Sequence, residues 1–268
     1  CVPQDKIPAS ILRKRYPKTL TLGMCANGPL MEYADLKELA ADLKPRIVLW
    51  VYYNNDLSDM DVEAQSELLM RYVDDDGFRQ GLAARQPAID AALERYLGNI
   101  AARAPRWPGA LAGMGLTRQS TPLVLQDLVM REQHSSWSSL LRLDGVTASV
   151  TMRFLSTDYF AQPPKWALFR RVLSQARSTI AGWGGKMYFV YLPDVHFLRF
   201  HGAKNDAHRE PVLKLVRELG IPLIDLHPVY LAQPDPEAFR PHHDAHFNEA
   251  GFALAAEKML EALARDGL

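Results

Sequence analysis

The sequence predicts an α/β protein built on a parallel sheet. Ile47-Val-Leu-Trp-Val-Tyr-Tyr53 and Met187-Tyr-Phe-Val-Tyr-Leu192 are almost wholly apolar, the pattern of strands buried on both faces. Apolar residues recur at helical spacing in the segments that flank them. Polar residues follow the first run at once, at a carboxyl end, where open α/β sheets place their ligands.

Residues 9–16 read as a short helix that stops before Pro17. Thr19–Leu22 is a β-prone run closed by Gly23, and Gly28-Pro29 is the next breaker. From Leu30 to Leu43 the apolar residues Leu36, Leu39, Ala40 and Leu43 keep helical spacing, and Lys44-Pro45 ends that helix. With Ile47–Tyr53 after it, the order is strand, helix, strand, a βαβ unit. Asn54-Asn55-Asp56 then reads either as an Asx-rich turn or as a ligand-facing cluster.

Residues 60–150 have a different character. Val62–Val73, Phe78–Ala104 and Thr121–Leu143 read as helices, and Pro105–Gly115 as a loop. No β-rich core emerges there, so the region reads as a helical insertion or cap in a single domain spanning 1–268. Val146–Phe154 is β-prone. Strict order returns at Lys165–Ile180, where Trp166, Phe169, Leu173, Ala176 and Ile180 share one helical face. After Met187–Leu192 a helix is expected from Asp206 to Leu219, with Val212, Leu215, Val216 and Leu219 inward and Gly220 as its end. Ile221–Asp225 is the next strand, and a last helix opened by Asn248 carries Phe252, Ala256, Met259, Leu260 and Leu263 on one face.

Composition narrows the function classes. Lysine and arginine number 31 and aspartate and glutamate number 31, so net charge is zero. The short run Arg13-Lys14-Arg15 reads as a solvated helix face, not the basic stripe of a nucleic-acid binder. No apolar stretch is long enough to span a bilayer. Cys1 and Cys25 are too few for a disulfide framework and lack metal-site spacing. The chain opens on Cys1 instead of methionine, so it does not read as an intact translation product, and its compartment is not legible; mature bacterial lipoproteins also open on cysteine.

Three polar sites fall beyond strand ends or before helix starts: Gly23–Gly28, Asn54-Asn55-Asp56 and Asp244-Ala-His246. A parallel sheet would bring them to one edge. An aspartate close to a histidine suits a general base held in one tautomer, and an asparagine amide with a backbone N–H suits an oxyanion site. His242, His243, Asp244 and His246 also read as a metal cluster, although adjacent side chains point apart and no second ligand group accompanies them.

The blocks Leu22-Gly-Met-Cys-Ala-Asn-Gly-Pro-Leu30, Tyr53-Asn-Asn-Asp-Leu57 and Asp244-Ala-His-Phe-Asn-Glu-Ala-Gly251, in that order, resemble the SGNH (GDSL-type) hydrolases. The resemblance covers about residues 1–60 and 165–268. It implies a three-layer, flavodoxin-like parallel sheet and a serine esterase acting on small-molecule or carbohydrate esters, with no cofactor and no metal. It further implies His246 as base, Asp244 as its partner, Asn55 as side-chain oxyanion donor and the backbone N–H of Ala26 as the second donor. The family's Gly-Asp-Ser block, which carries the nucleophile on the first strand, does not occur in this sequence. The resemblance therefore implies an upstream truncation that removed the serine and a central strand, leaving a fragment without turnover. Cys25, Ser135 and Ser136 are the resident nucleophile candidates, but Cys25 lies on the oxyanion side and the serines lie in the insertion. The spacing of Asp244 and His246 also occurs in related polysaccharide O-acetyltransferases, one alternative; a non-catalytic α/β binding protein is the other.

Overall fold

The computed structural model describes residues 2–24, 27–103, 165–194, 208–239 and 246–268. The chain divides into two compact units, one of residues 1–83 with 164–268 and one of residues 84–163.

Among the described residues the first unit is built on a three-stranded parallel sheet, β1 (Ile47–Tyr52), β2 (Lys186–Tyr191) and β3 (Leu223–Asp225), in that spatial order. Ile47 stands opposite Lys186 and Tyr52 opposite Tyr191; Tyr191 in turn stands opposite Asp225. The sequence of helices is α1 (Pro8–Arg13), α2 (Pro29–Asp35), α3 (Asp56–Glu63), α4 (Glu67–Asp74), α6 (Trp166–Gly182), α7 (Arg209–Glu218), α8 (His227–Leu231) and α9 (Glu249–Arg265); α5 (Gln86–Arg103) lies in the second unit. None of the described helices is long and apolar enough to cross a membrane.

Alternation along each strand assigns its two faces. Trp50, Tyr52, Met187, Phe189 and Tyr191 pack with α2, α4, α6 and α7, whereas Tyr188, Val190 and Ile224 pack with α1, α8 and α9. Helices thus cover both faces, which is why the strand sequences are apolar throughout and not alternating. Tyr52 is the hub of the first face, with its ring 5.9 Å from Phe169, 5.6 Å from Phe189 and 5.4 Å from Tyr191. Full burial of one such aromatic stabilises the fold by about 1.5–3 kcal/mol.

Several expected elements stand where they were read. The face of α6 that includes Phe169, Leu173, Ala176 and Ile180 is buried, as are Val212, Leu215 and Val216 of α7. Gly220 takes φ 62° just past α7, a left-handed value that a Cβ would strain.

Four expectations are corrected. Thr19–Leu22 forms no strand; Leu20 is exposed, and the local backbone is tied to α1 by Arg13 Nε donating to the Thr19 carbonyl at 2.8 Å. Among the described residues β1 pairs with β2 alone, so no neighbouring ladder is present to order that run. Leu39 and Leu43 are exposed, because α2 continues as a wider π turn over Leu36–Ala40 that carries Lys37 and Glu38 inward instead. The helix expected at Val62–Val73 is two, since Ser66 caps α4 by accepting from the Leu69 N–H at 3.3 Å. Phe78 lies in the turn between α4 and α5, and α5 begins only at Gln86, with Pro87 in its first turn. The candidate strand Val146–Phe154, the loop Pro105–Gly115 and the helix Thr121–Leu143 lie outside the described residues.

Candidate functional site

The carboxyl ends of β1 and β2 open into Tyr53-Asn54-Asn55-Asp56 and Leu192-Pro193-Asp194. The Asn54 side-chain amide donates to Asp194 Oδ2 at 2.8 Å, which ties the two strand ends together. The ring of Tyr53 lies nearly parallel to that of His246, 20° apart with centroids at 6.4 Å. The His246 ring thus lies near Tyr53, two residues before Asn55, at the carboxyl end of β1. Asp244 and Ala26 lie outside the described residues, as do His242, His243 and Cys25. Among the described residues no group of three histidines, cysteines or carboxylates could hold a metal ion.

His246 is held in place by the residues that come after it in the chain. Phe247 is buried and stacks on Tyr230 at 4.4 Å, while the Tyr230 hydroxyl donates to the Gly251 carbonyl at 2.7 Å. Burial pushes the Tyr230 hydroxyl far above its ordinary pKa, so it is held as a neutral donor. Asn248 caps α9 by accepting from the Gly251 N–H at 3.0 Å and donates its own amide to the Ala238 carbonyl at 2.7 Å. A Cβ on Gly251 would fall 2.6 Å from the Phe247 ring, so the glycine makes room for the aromatic anchor. His246 itself is exposed at the mouth of this assembly.

Asn55 occupies the N-cap position of α3, and its carbonyl accepts from the Ser58 and Asp59 N–H groups at 2.9 Å each. Its side-chain Nδ2 donates to Asp59 Oδ2 at 2.6 Å. Asp56 turns inward, 5% exposed, where it accepts from the Tyr53 N–H at 3.0 Å. Burial pushes its carboxyl well above the ordinary range; the Tyr53 N–H pulls it back in part, and Asp59 and Glu63 push it further up.

A second set of carboxylates grips the turn after Gly23. Glu63 Oε1 accepts from the Gly28 N–H at 2.6 Å and Oε2 from the Leu30 N–H at 3.0 Å, while the Asn27 amide donates to Asp35 at 3.2 Å. Burial raises the Glu63 pKa, opposed by the N–H groups of Gly28, Met31 and Leu30. Glu32 lies alongside with its Oε2 buried and without a hydrogen bond, although part of the residue reaches the surface. Burial, then the charges of Asp56, Glu63 and Asp35, push its pKa well above the ordinary value.

Sequence reasoning missed Asp194, Asp59, Glu63 and Glu32. Asp59 and Glu63 were within reach: Asn55, Asp59 and Glu63 recur at the i, i+4, i+8 spacing of one helix face. Asp194 gave no such signal, because its partner is far away in the chain.

Comparison with protein-family models, with curated proteins and with solved structures returned no match.

Proposed function

We propose that this chain carries an acyl-transfer site of the SGNH type on a flavodoxin-like sheet, acting on ester-linked acyl groups. What supports the reading most is the closeness of His246 to Tyr53, two residues before Asn55, at the carboxyl edge of a parallel sheet, the two rings nearly parallel with centroids at 6.4 Å. In this reading His246 takes the proton of a serine hydroxyl as its oxygen bonds to the acyl carbon. The carbonyl electron pair moves onto oxygen, and the oxyanion is held by the Asn55 amide and the Ala26 N–H. Collapse breaks the ester C–O bond, and the leaving alcohol takes the proton from the imidazolium. Water, deprotonated by His246, then attacks the acyl carbon; the acyl–serine C–O bond breaks, the serine oxygen takes the proton back from the imidazolium, and the acid leaves. Asp244 would hold the imidazole in the tautomer that accepts the serine proton.

The serine would come on a strand beside β1. Two observations favour that position: β1 has no partner on its outer side among the described residues, and Thr19–Leu22 stands without a ladder despite its β-prone sequence. An open edge of this kind favours pairing with a further strand. The test is labelling by a fluorophosphonate. Residues 1–268 alone remain unlabelled, whereas a polypeptide that also carries a Gly-Asp-Ser strand is labelled on that serine. Robust labelling of a serine within residues 1–268 contradicts the proposal.

A further inference from the structure

We infer that Asp59 of α3 is a positioning residue that holds the Asn55 amide in the orientation an oxyanion donor needs, while Glu63 locks the same helix to the turn at Gly28. The inference rests on the acyl-transfer reading above and deepens it.

Asn55, Asp59 and Glu63 lie along one face of α3 because they are spaced four residues apart. The Asp59 carboxylate takes Asn55 Nδ2 at 2.6 Å, a charge-assisted bond. A primary amide nitrogen has two hydrogens, so one bond to Asp59 leaves the other for an acyl oxygen. The carboxylate also fixes which way the amide faces. Turned over, Asn55 would present its carbonyl oxygen to an anion, and no hydrogen would stand between them. Asp59 therefore sets both the plane and the sense of the donor.

Glu63, one turn further on, ties α3 itself to the turn at Gly28. Pro29, the first residue of α2, has no N–H, so Gly28 and Leu30 present the nearest donors, and Glu63 takes both. Gly28 has no side chain with which to cap its own helix. A Cβ there would lie 2.8 Å from Met60 N and 2.9 Å from Asp59 Cβ, so the turn is pressed directly onto the backbone of α3. One short helix thus carries the Asn55 donor on a frame locked to the start of α2. Fixing donors before the charge develops is what makes an oxyanion site effective.

The test is a double-mutant cycle on hydrolysis of an activated ester by the polypeptide that joins a Gly-Asp-Ser strand to residues 1–268. Asn55→Ala lowers kcat by about 10²–10³-fold. Asp59→Ala lowers kcat by about tenfold to a hundredfold with KM unchanged, the effect of a misplaced group. Placed on Asn55→Ala, the Asp59→Ala change costs nothing more, because the group it positions is gone. Asp59→Asn, whose amide oxygen still accepts from Nδ2, recovers most of the loss. Independent, additive losses overturn the inference. If Asn55→Ala is itself silent, the acyl-transfer reading fails and this inference with it; if Asn55→Ala is damaging and Asp59→Ala silent, only the inference fails. A second measurement needs no turnover. In residues 1–268, Asp59→Ala moves the Asn55 side-chain amide resonances, and Glu63→Gln speeds amide hydrogen exchange at Gly28 and Leu30. Unmoved resonances and unchanged exchange overturn the inference as well.

Discussion

Glu32 and Glu38 stand on one continuous helical stretch, both with inward carboxyls, and the protein treats them oppositely. Glu38 accepts from the Tyr72 hydroxyl at 2.8 Å, the Leu82 N–H at 2.9 Å and the Gln80 N–H. Burial alone would raise its pKa, but those donors outweigh the burial and hold it below the ordinary value. Its neighbour Lys37 donates to the carbonyls of Tyr72, Asp75 and Asp76 at 3.3, 3.3 and 3.0 Å. That end of the helix is a clamp on the α4 terminus, its charges matched by the backbone groups they reach. Glu32 faces Asp56, Glu63 and Asp35 instead, with one oxygen unbonded and a raised pKa. Burial is common to the two glutamates; saturation with hydrogen bonds is not. A saturated charge belongs to folding, whereas crowded carboxylates that raise one another's pKa collect where a site has been arranged.

The sharpest way to break this contrast is at the clamp. Glu38→Ala leaves two backbone N–H groups and a tyrosine hydroxyl without their acceptor and destabilises the fold by about 3 kcal/mol or more, measured by urea unfolding. The kcat of the folded fraction is unchanged. An equal stability with lowered kcat would place the clamp in the site and erase the distinction.

A smaller effect of opposite sign is expected at Glu32. Its folded pKa is raised, so its contribution to stability is fully present below the unfolded value near 4.5 and is lost as pH rises through the folded pKa. Glu38 has a lowered pKa, so its contribution is present above the unfolded value near 4.5 and is lost as pH falls through the folded pKa. Glu32→Gln therefore raises the melting temperature at neutral pH and leaves it nearly unchanged in acid, while Glu38→Gln lowers it at neutral pH and matters least in acid. Thermal melts from about pH 3 to about pH 8, from below to well above the ordinary carboxylate pKa, read both outcomes. The same sign for the two variants would contradict the assignment.

The apolar framework was legible because burial on two faces writes itself into short contiguous runs: Ile47–Tyr52 and Lys186–Tyr191 stand nearly where their hydrophobic patterns put them. Asn248 and Gly220 were legible as helix punctuation for the same local reason, a cap and a left-handed end. Thr19–Leu22 was not, since a β-prone run becomes a strand only when a ladder receives it. Leu39 and Leu43 misled because a π turn shifts the inward face, a change that apolar spacing does not record. In the site, the closeness of His246 to Tyr53 is of the kind that strand ends in a parallel sheet favour, whereas the Asn54–Asp194 bond joins residues with no local pattern between them.

The role given to His246 is tested most directly by ester hydrolysis in the polypeptide that joins a Gly-Asp-Ser strand to residues 1–268, with and without His246→Ala. His246 is exposed and its anchor is Phe247, so the substitution leaves the melting temperature within about a degree, in line with surface changes of about 0.5 kcal/mol or less. Removing a base that takes the serine proton lowers kcat by about 10³-fold or more. A His246→Ala protein that melts normally and hydrolyses the ester at the parent rate would contradict the proposed site.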